Sequence, residues 1–267
     1  MLEHTLVLED DNLSEYLAAD RYDLEYGSTE LDGAFYRSLA ARSGGAVLDL
    51  ATGTGRIALA LAAEGHSVTG VDVVDAMVDR ASAKAADLDD IDVTFLVDDV
   101  RTMNLHRKFD LVTLAGNSLQ AFLSDADRAA ALNAVWRHLK PGGLFAFAVR
   151  FPQVAELAAR LDVAAPWFSY SDSLGRDVFV SGTQHYHPLA QVMHHVTHRV
   201  FADGTPVEEP TRIALRYSFP QELDAALRTA RLEVVERFGD FDGSPLTEAS
   251  PYLAYVCRRA ESRGAKA

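Results

Sequence analysis

The chain has 267 residues, of which 48% are hydrophobic and 24% charged, so its composition allows a sizeable core and excludes a disordered chain. Asp and Glu total 39 against 25 Lys and Arg, and the resulting net charge of −14 repels phosphate backbones and anionic membranes. The single cysteine, Cys257, excludes an intrachain disulfide and any multi-cysteine zinc or iron–sulfur site. We therefore expect neither a nucleic-acid partner nor a membrane partner.

The chain carries no recognisable targeting or membrane-spanning segment. Its N-terminal run, MLEHTLVLEDDNLSEY, lacks the basic start and the long apolar stretch of a signal peptide. No run approaches the ~20 apolar residues that a membrane-spanning helix needs. The sequence thus predicts a cytoplasmic protein and leaves open whether it forms a homo-oligomer.

From residue 46 onward, short apolar runs alternate with segments of helical periodicity. Strands are predicted at 46–50, 66–71, 93–97, 109–114 and 144–149. Helices are predicted between them at 57–63, 76–88 and 125–139. Strands that alternate with helices indicate a parallel sheet that is covered on both faces.

The pattern changes after Pro152. Strand-like segments at 178–186, 191–201 and 212–219 follow one another without a helix, and Ala202-Asp203-Gly204 is typical of a hairpin turn. These segments predict an antiparallel insert. A helix at 221–230 and strands at 232–238 and 252–257 follow it.

The predicted fold is therefore α/β. It consists of a Rossmann-like, seven-stranded, mostly parallel sheet with helices on both faces, plus an antiparallel β insert, or lid, after the fifth strand. We expect four segments: an N-terminal helical cap, a nucleotide-binding core, the substrate lid, and a C-terminal helix with the last two strands of the core sheet. Their predicted bounds are 1–45, 46–152, 153–219 and 220–260.

A glycine-rich loop joins the first strand to its helix. The run Gly53-Thr54-Gly55-Arg56-Ile57-Ala58 fits G-x-G-x-x-A, and Asp72 ends the next strand. The glycines let the backbone approach a ligand closely, and the carboxylate suits the vicinal hydroxyls of a ribose. This pattern is shared by NAD-binding enzymes and by S-adenosylmethionine (SAM) methyltransferases, and it also occurs as a turn needed only for packing.

Three neighbouring features favour a SAM site over a dinucleotide site. Asp49 lies in the first strand, where a carboxylate suits an ammonium and a sulfonium better than a pyrophosphate. Asp98-Asp99-Val100 follows the third strand and places an acceptor and a backbone amide where an adenine edge lies. FDLVTLAGNS, a helix and LKPGGLFAF then supply the fourth and fifth strands of the sheet.

Together these landmarks resemble class I SAM-dependent methyltransferases over about residues 46–150. The resemblance implies SAM as cofactor and S-adenosylhomocysteine as product. It implies that Gly53 and Gly55 face the methionine part, that Asp72 holds the ribose, and that Asp99 and Val100 read the adenine edge. The remaining cofactor residues that it implies are Tyr22, from the aromatic cap YDLEYG, with Asp49, Ala51, Arg56, Val73, Met77 and Ala115.

The chain is most similar to small-molecule N-methyltransferases of the glycine/sarcosine and amino-sugar type, through LRYSFPQEL and RFGDFDGSP as well as the sheet. This resemblance implies that Gly116 and Asn117 line the methyl-transfer site. It also implies that Arg150, just after the fifth strand, binds an acidic group of the acceptor; a salt bridge to a nearby Asp or Glu is the alternative. Tyr26 is a further candidate substrate contact.

Five histidines fall between residues 185 and 198, and His185 with His187, like His194 with His198, shares a strand face. They could supply a general base, a substrate contact, metal ligands or merely solvent-facing residues. Methyl transfer from a sulfonium needs no Lewis acid, so we predict no metal and take His198 as the substrate contact.

The sequence thus predicts a SAM-dependent methyltransferase that acts on the nitrogen of a small amine or amino acid with an acidic group. O-methylation of an alcohol or phenol is the nearest alternative, because the histidines offer a base. An NAD(P)-dependent oxidoreductase is the alternative from another class, although no hydride-transfer constellation such as Tyr-x-x-x-Lys is recognisable. A SAM-binding subunit without turnover is a third.

Overall fold

The structure is a computed structural model that describes residues 12–27, 31–159 and 161–260. The first eleven residues of the predicted cap, and its residues 28–30, lie outside the described part. The strands are β1 (Val47–Leu50), β2 (Val68–Asp72), β3 (Val93–Val97), β4 (Phe109–Leu114), β5 (Leu139–Arg150), β6 (Leu161–Ser171), β7 (Asp177–His187), β8 (Val192–Phe201), β9 (Thr211–Arg216), β10 (Leu232–Phe238) and β11 (Tyr252–Arg259).

The helices are α1 (Ala19–Tyr26), α2 (Gly33–Ser43), α3 (Arg56–Ala63), α4 (Asp75–Ala86), α5 (Asp125–His138), α6 (Val154–Ala158) and α7 (Pro220–Thr229). Over the described ranges, every helix is too short or too polar to cross a bilayer.

One sheet has seven strands in the order β10-β11-β5-β4-β1-β2-β3. Strands β1 to β5 pair in parallel, whereas β11 runs antiparallel to both β5 and β10. All residues of β1 and β2 are buried, as expected for parallel strands with a layer on each face. The predicted Rossmann-like, mostly parallel sheet is confirmed.

Apolar side chains fill both faces of this sheet. On one face Leu132 and Val135 of α5 and Leu223 of α7 pack with Phe145 and Phe147. On the other face α2 and α3 form a second core, which includes Tyr36, Leu39, Ile57 and Leu61. Helix α2, which the sequence places in the cap, therefore packs as one of the layers of the core.

The insert is a separate four-stranded antiparallel sheet in the order β6-β7-β8-β9. The sequence predicts only three of its strands, because β6 contains Pro166 and is an edge strand without regular alternation. The predicted strand 212–219 also extends too far, since β9 ends at Arg216 and Pro220 begins α7. Proline is favoured at the first helical position because its missing N–H has no partner there.

A buried ion cluster holds the cap against this second sheet. The guanidinium of Arg199, on β8, is 0% exposed and donates to Glu25 at 2.6 and 2.8 Å and to Glu15 at 2.5 Å. It also donates to the Thr211 hydroxyl at 2.7 Å. Because Glu15 precedes α1 and Glu25 belongs to it, the cluster fixes α1 relative to the lid.

Removal of Arg199 should destabilise the fold strongly. In Arg199→Ala the buried Glu15 and Glu25 carboxylates lose their counter-charge, and breaking such a pair costs about 3–5 kcal/mol. Urea unfolding of both proteins measures this difference. Arg42→Ala is the matched control, because the Arg42–Glu236 pair is largely exposed and should cost less than about 1 kcal/mol. Equal losses in the two variants would contradict the proposed role of the cluster.

Candidate active site

The loop after β1 adopts left-handed backbone conformations at three positions. Ala51, Gly53 and Gly55 have φ values of 49°, 55° and 80°. A Cβ atom on Gly53 would meet nothing within 4 Å, whereas one on Gly55 would lie 2.9 Å from the Phe95 ring. Gly53 therefore leaves room for a ligand to approach the backbone, while Gly55 permits close packing against the sheet.

Asp72 ends β2 beside this loop. Its carboxylate accepts hydrogen bonds from the backbone N–H of Gly53 at 2.8 Å and of Val74 at 3.0 Å. The residue is 8% exposed, and burial raises the pKa of its carboxyl, partly offset by the backbone N–H groups that lower it. The carboxylate is thus held in one orientation at the carboxyl end of the parallel strands, where ligands bind in such sheets.

Asp49 is a buried carboxyl within β1. It accepts hydrogen bonds from the hydroxyls of Thr52 and Thr113, each at 2.7 Å. Burial raises its pKa to about 6, and the two hydroxyl bonds lower it only in part. A cation bound nearby would stabilise the charged form of Asp49.

The predicted adenine-side residues surround the ends of β2 and β3. Val73 is 49% exposed, and Met77 packs in a small buried cluster beneath the cap. The Asp99 carboxylate accepts from the Arg101 side chain at 2.7 to 3.1 Å, and this guanidinium lowers the pKa of Asp99. Val100 follows and is buried. Asp99 therefore already has a cationic partner.

A cavity of about 560 Å³ lies where the cap, the sheet edge and the lid meet. The N-terminal region contributes Glu15, Tyr16, Tyr22, Tyr26, Leu31 and Asp32; the core sheet and its loops contribute Arg56, Gly116, Asn117, Arg150, Phe241 and Tyr252; the lid contributes Trp167, Gln184, His195, Thr197, Ile213 and Leu215. The structure thus brings the predicted residues Tyr22, Tyr26, Arg56, Gly116, Asn117 and Arg150 to one cavity. Ala115, directly before the turn after β4, is buried.

The turn after β4 is the strained part of the cavity wall. Gly116 and Asn117 have φ values of 65° and 62°, and Asn117 precedes a 3-10 turn at Ser118–Ala121. The Gln120 side chain accepts from the backbone N–H of Arg150 at 3.0 Å, which joins this turn to the end of β5. Left-handed residues that the surroundings fix in this way are typical of binding and catalytic sites.

Tyrosines of the cap lie beside the glycine-rich loop. The Tyr22 ring contacts the rings of Tyr16 and Tyr26, with centroids 5.9 and 5.0 Å apart. Arg56, at the start of α3, donates to both oxygens of Asp32 at 2.6 and 3.0 Å. The cap therefore contributes both an aromatic surface and a buried carboxylate next to the glycine loop.

Arg150 forms the salt bridge that the sequence left as an alternative. Its Nη2 donates to Glu156 Oε1 at 2.7 Å, and the Tyr217 hydroxyl donates to the same oxygen at 3.1 Å. The Arg150 side chain nevertheless remains 40% exposed and lines the cavity.

The prediction that His198 contacts the substrate is not supported by its position. Residues on a strand alternate between faces, and the inner face of β8 carries His195, Thr197 and Arg199. His198 lies on the opposite face and is not among the cavity residues, whereas His195 lines the cavity and is 7% exposed. The sequence groups the histidines correctly by face, but it does not show which face is covered.

The outer histidines form a small cluster of their own. The rings of His185 and His187 are 4.5 Å apart, and those of His187 and His194 are 5.2 Å apart. Within the described ranges, no three His, Cys, Asp or Glu side chains are grouped so as to hold a metal ion.

Comparisons with known proteins give the family and the fold that this chain resembles. Residues 47–143 match the family described as "Methyltransferase domain". The cypemycin N-terminal methyltransferase of Streptomyces sp. is 27% identical over 255 residues, which cover 94% of this chain and 100% of that protein. Residues 47–143 are therefore a methyltransferase domain, and the similar proteins together indicate a SAM-dependent methyltransferase.

Two solved structures share the fold over almost their whole length. The CcbJ methyltransferase of Streptomyces caelestis has a TM-score of 0.81 and 27% identity, with 94% of this chain and 100% of that one covered. The sugar N-methyltransferase KedS8 of Streptoalloteichus sp. has a TM-score of 0.69 and 26% identity, with 90% and 93% covered. The predicted family and the predicted cofactor, SAM, are confirmed, and the oxidoreductase alternative is set aside.

The residues at the sheet edge fit SAM chemically. Gly53 leaves open space beside its backbone, and Asp72 presents a fixed carboxylate at the end of β2. Asp49 and Asp32 are buried carboxylates close to the glycine loop, and negative charge there suits a ligand that carries an ammonium and a sulfonium. The roles of individual residues remain predictions.

Several cavity residues were not predicted from the sequence. Tyr16, Asp32, Trp167, Gln184 and Thr197 line the cavity, yet none belongs to a recognisable motif. For Thr197 a signal was available, because it shares the inner face of β8 with His195. Trp167 lies on the strand that the sequence did not reveal.

The raised pKa of Asp49 predicts a defined pH dependence of stability. In the folded protein Asp49 holds its proton up to about pH 6, so its contribution to stability is lost as the pH rises from about 4 through 6. Asn cannot ionise; its side-chain oxygen can accept from one threonine hydroxyl, and its NH₂ group can donate to the other. The free energy of unfolding of Asp49→Asn, relative to that of wild type, should therefore rise by about 1.4 kcal/mol when the pH is raised from about 5 to about 7.5.

Urea unfolding of both proteins at the two pH values measures this change. Asp203→Asn is the control, because Asp203 is exposed in a hairpin turn. If the difference in free energy of unfolding between wild type and Asp49→Asn does not change with pH, the raised pKa is contradicted.

Proposed function

We propose that the chain methylates the nitrogen of a small-molecule amine or amino acid that carries an acidic group. One observation carries the proposal: the left-handed turn at Gly116 and Asn117 and the Arg150 side chain line the same cavity. This cavity lies next to the glycine-rich loop. The lid and the cap both line this cavity, which limits the access of water to the transfer.

SAM, when bound, supplies a methyl group on a positively charged sulfur. The protein then has to align the nitrogen and exclude water, an effect worth up to ~7–11 kcal/mol. The carbonyl oxygen of Gly116 and the side-chain oxygen of Asn117 are suited to accept the N–H bonds of a neutral amine. Their fixed left-handed conformations orient these acceptors before the substrate binds.

Nitrogen is favoured over oxygen by the chemistry of the cavity. His195 is the histidine that lines it, and burial lowers its pKa to about 4 with a further contribution from Arg150. So weak a base does not remove the proton of an alcohol, whereas a neutral amine needs no base to attack. KedS8 is named a sugar N-methyltransferase and the cypemycin enzyme an N-terminal methyltransferase, and both are similar to this chain.

Arg150 supports the acidic group in the proposed acceptor. Its guanidinium is shared with Glu156, but the side chain is partly exposed to the cavity. A planar guanidinium can pair with a carboxylate through two parallel hydrogen bonds. An acceptor carboxylate would therefore compete with Glu156 for Arg150.

The proposed function predicts N-methyl products from an amine panel. We expect incubation with SAM to add one methylene mass to amines and amino acids, with S-adenosylhomocysteine formed in equal amount. Mass spectrometry detects the gain, and NMR of the product distinguishes N–CH₃ from O–CH₃. Alcohols and phenols without nitrogen are the controls. Methylation of these alone would establish O-methylation, and binding of SAM without any turnover would establish a non-catalytic subunit.

Opposite effects are expected from the two members of the Arg150–Glu156 pair. Arg150→Ala should raise the KM of a carboxylate-bearing amine about 10-fold or more, since a charge-assisted hydrogen bond contributes about 1.5–3 kcal/mol. Glu156→Gln should lower that KM, because it removes the competing carboxylate. Steady-state kinetics with an amino acid and with its amide gives both values.

In both variants the affinity for SAM, measured by calorimetry, should stay near that of wild type. Equal loss of SAM and acceptor binding in Arg150→Ala, or equal KM changes for the amino acid and the amide, would contradict the role of Arg150.

A further inference from the structure

We propose that Trp167 and His195, on the lid, form a recognition site for the methyl acceptor and select amino acids that carry a hydroxyl group. This inference rests on the proposed function only for which atom of the acceptor is methylated. The binding of the acceptor to Trp167 and His195 does not depend on that function.

His195 is the first observation. It is 7% exposed on the inner face of β8 and lines the cavity, and neither ring nitrogen has a hydrogen-bond partner among the described residues. Leaving a buried polar atom unpaired costs about 1–3 kcal/mol. Such a group in a ligand cavity points to partners that the ligand provides.

The protonation state of His195 limits the chemistry of that partner. Burial lowers its pKa to about 4, so the ring is neutral near pH 7. A neutral imidazole has one N–H donor and one acceptor nitrogen. A carboxylate only accepts and an ammonium only donates, whereas a hydroxyl can do both. A hydroxyl can therefore pair with either ring nitrogen of His195, by accepting from the N–H or by donating to the other nitrogen.

Trp167 is the second observation. Its ring lies edge-on to the His195 ring, with centroids 5.9 Å apart, and lines the same cavity. It rests on Gly182 of β7, where an added Cβ would come within 2.1 Å of the indole. Gly182 thus leaves the room that Trp167 needs, and the indole offers an apolar face for the carbon skeleton of the acceptor.

The two side chains are coupled. The ring nitrogens of His195 are shielded from solvent, so a ligand reaches them by moving the imidazole or the adjacent indole. The sequence contains two tryptophans, and the other one, Trp136, lies between Arg231 and Arg259, away from the cavity. Trp136→Phe therefore makes the intrinsic fluorescence a specific signal of Trp167.

The test uses two amino-acid pairs that each differ by one hydroxyl: L-serine with L-alanine, and L-tyrosine with L-phenylalanine. Each is titrated into the Trp136→Phe protein saturated with S-adenosylhomocysteine, and the Trp167 fluorescence gives Kd. We expect the hydroxylated member of at least one pair to bind about 10-fold more tightly than its partner. Equal Kd values within both pairs, or no Trp167 signal with any of the four, would overturn the proposal.

Variants assign the preference to His195. His195→Phe should abolish the difference within the pair, and His195→Gln, which keeps one donor and one acceptor, should restore part of it. His185→Phe, on the outer face of β7, is the matched control and should keep the full preference. Gly182→Ala should weaken both members of the pair alike, because it displaces Trp167. A preference that survives in His195→Phe would overturn the proposal.

Each variant is first checked for S-adenosylhomocysteine binding by calorimetry, so that misfolding is recognised. Turnover separates this inference from the proposed function. Tight binding of a hydroxylated amino acid without N-methyl product would contradict only the proposed function. Equal N-methylation of both members of each pair, with equal kcat/KM, would contradict only the recognition site.

Discussion

The site depends on one interaction, the buried ion pairs that Arg199 forms with Glu15 and Glu25. Taking a charge out of water is costly, and Arg199 is tolerated at 0% exposure because Glu15 and Glu25 compensate it. Both carboxylates come from the cap, and the guanidinium comes from the lid. The cap and the lid both line the cavity, so this cluster fixes two of the elements that form its wall. Glu15 also lines that cavity, which links its wall directly to the cluster.

The polar groups of the cavity and of the adjoining glycine-rich loop are organised before any ligand binds. Asp49 and Asp72 are held by hydroxyl and backbone donors, and Asp32 by Arg56. Left-handed residues at the ends of β1 and β4 keep the backbone close to where a ligand passes. Such strain and burial cost stability, and the packed layers on both faces of the sheet supply the compensating contacts. A preorganised site of this kind suits a reaction in which alignment is the main requirement.

The sequence predicted the sheet well because its strands are continuous apolar runs separated by helical periods, and a parallel sheet buries both faces. It was less informative about the lid, for two physical reasons. The strand with Pro166 is an edge strand, which needs neither alternation nor complete pairing. Alternation on β8 also separates His195 from His198 without showing which face is covered, since that depends on the distant cap. Arg150 illustrates the same limit: its position at the end of β5 follows from sequence, but its pairing with Glu156 depends on the three-dimensional placement of α6.

Arg150 and His195 also differ in what they can contribute to selection. Arg150 already has a partner, so an acidic group competes with Glu156 and gains less than it would from an unpaired guanidinium. His195 has no hydrogen-bond partner among the described residues, and a ligand that satisfies it gains the full value of removing a buried unpaired group. Discrimination in a buried site is strongest where the wrong ligand leaves a polar group unpaired. By this argument Arg150 would select acceptors that carry an acidic group, and His195 would discriminate further among the acceptors that share it.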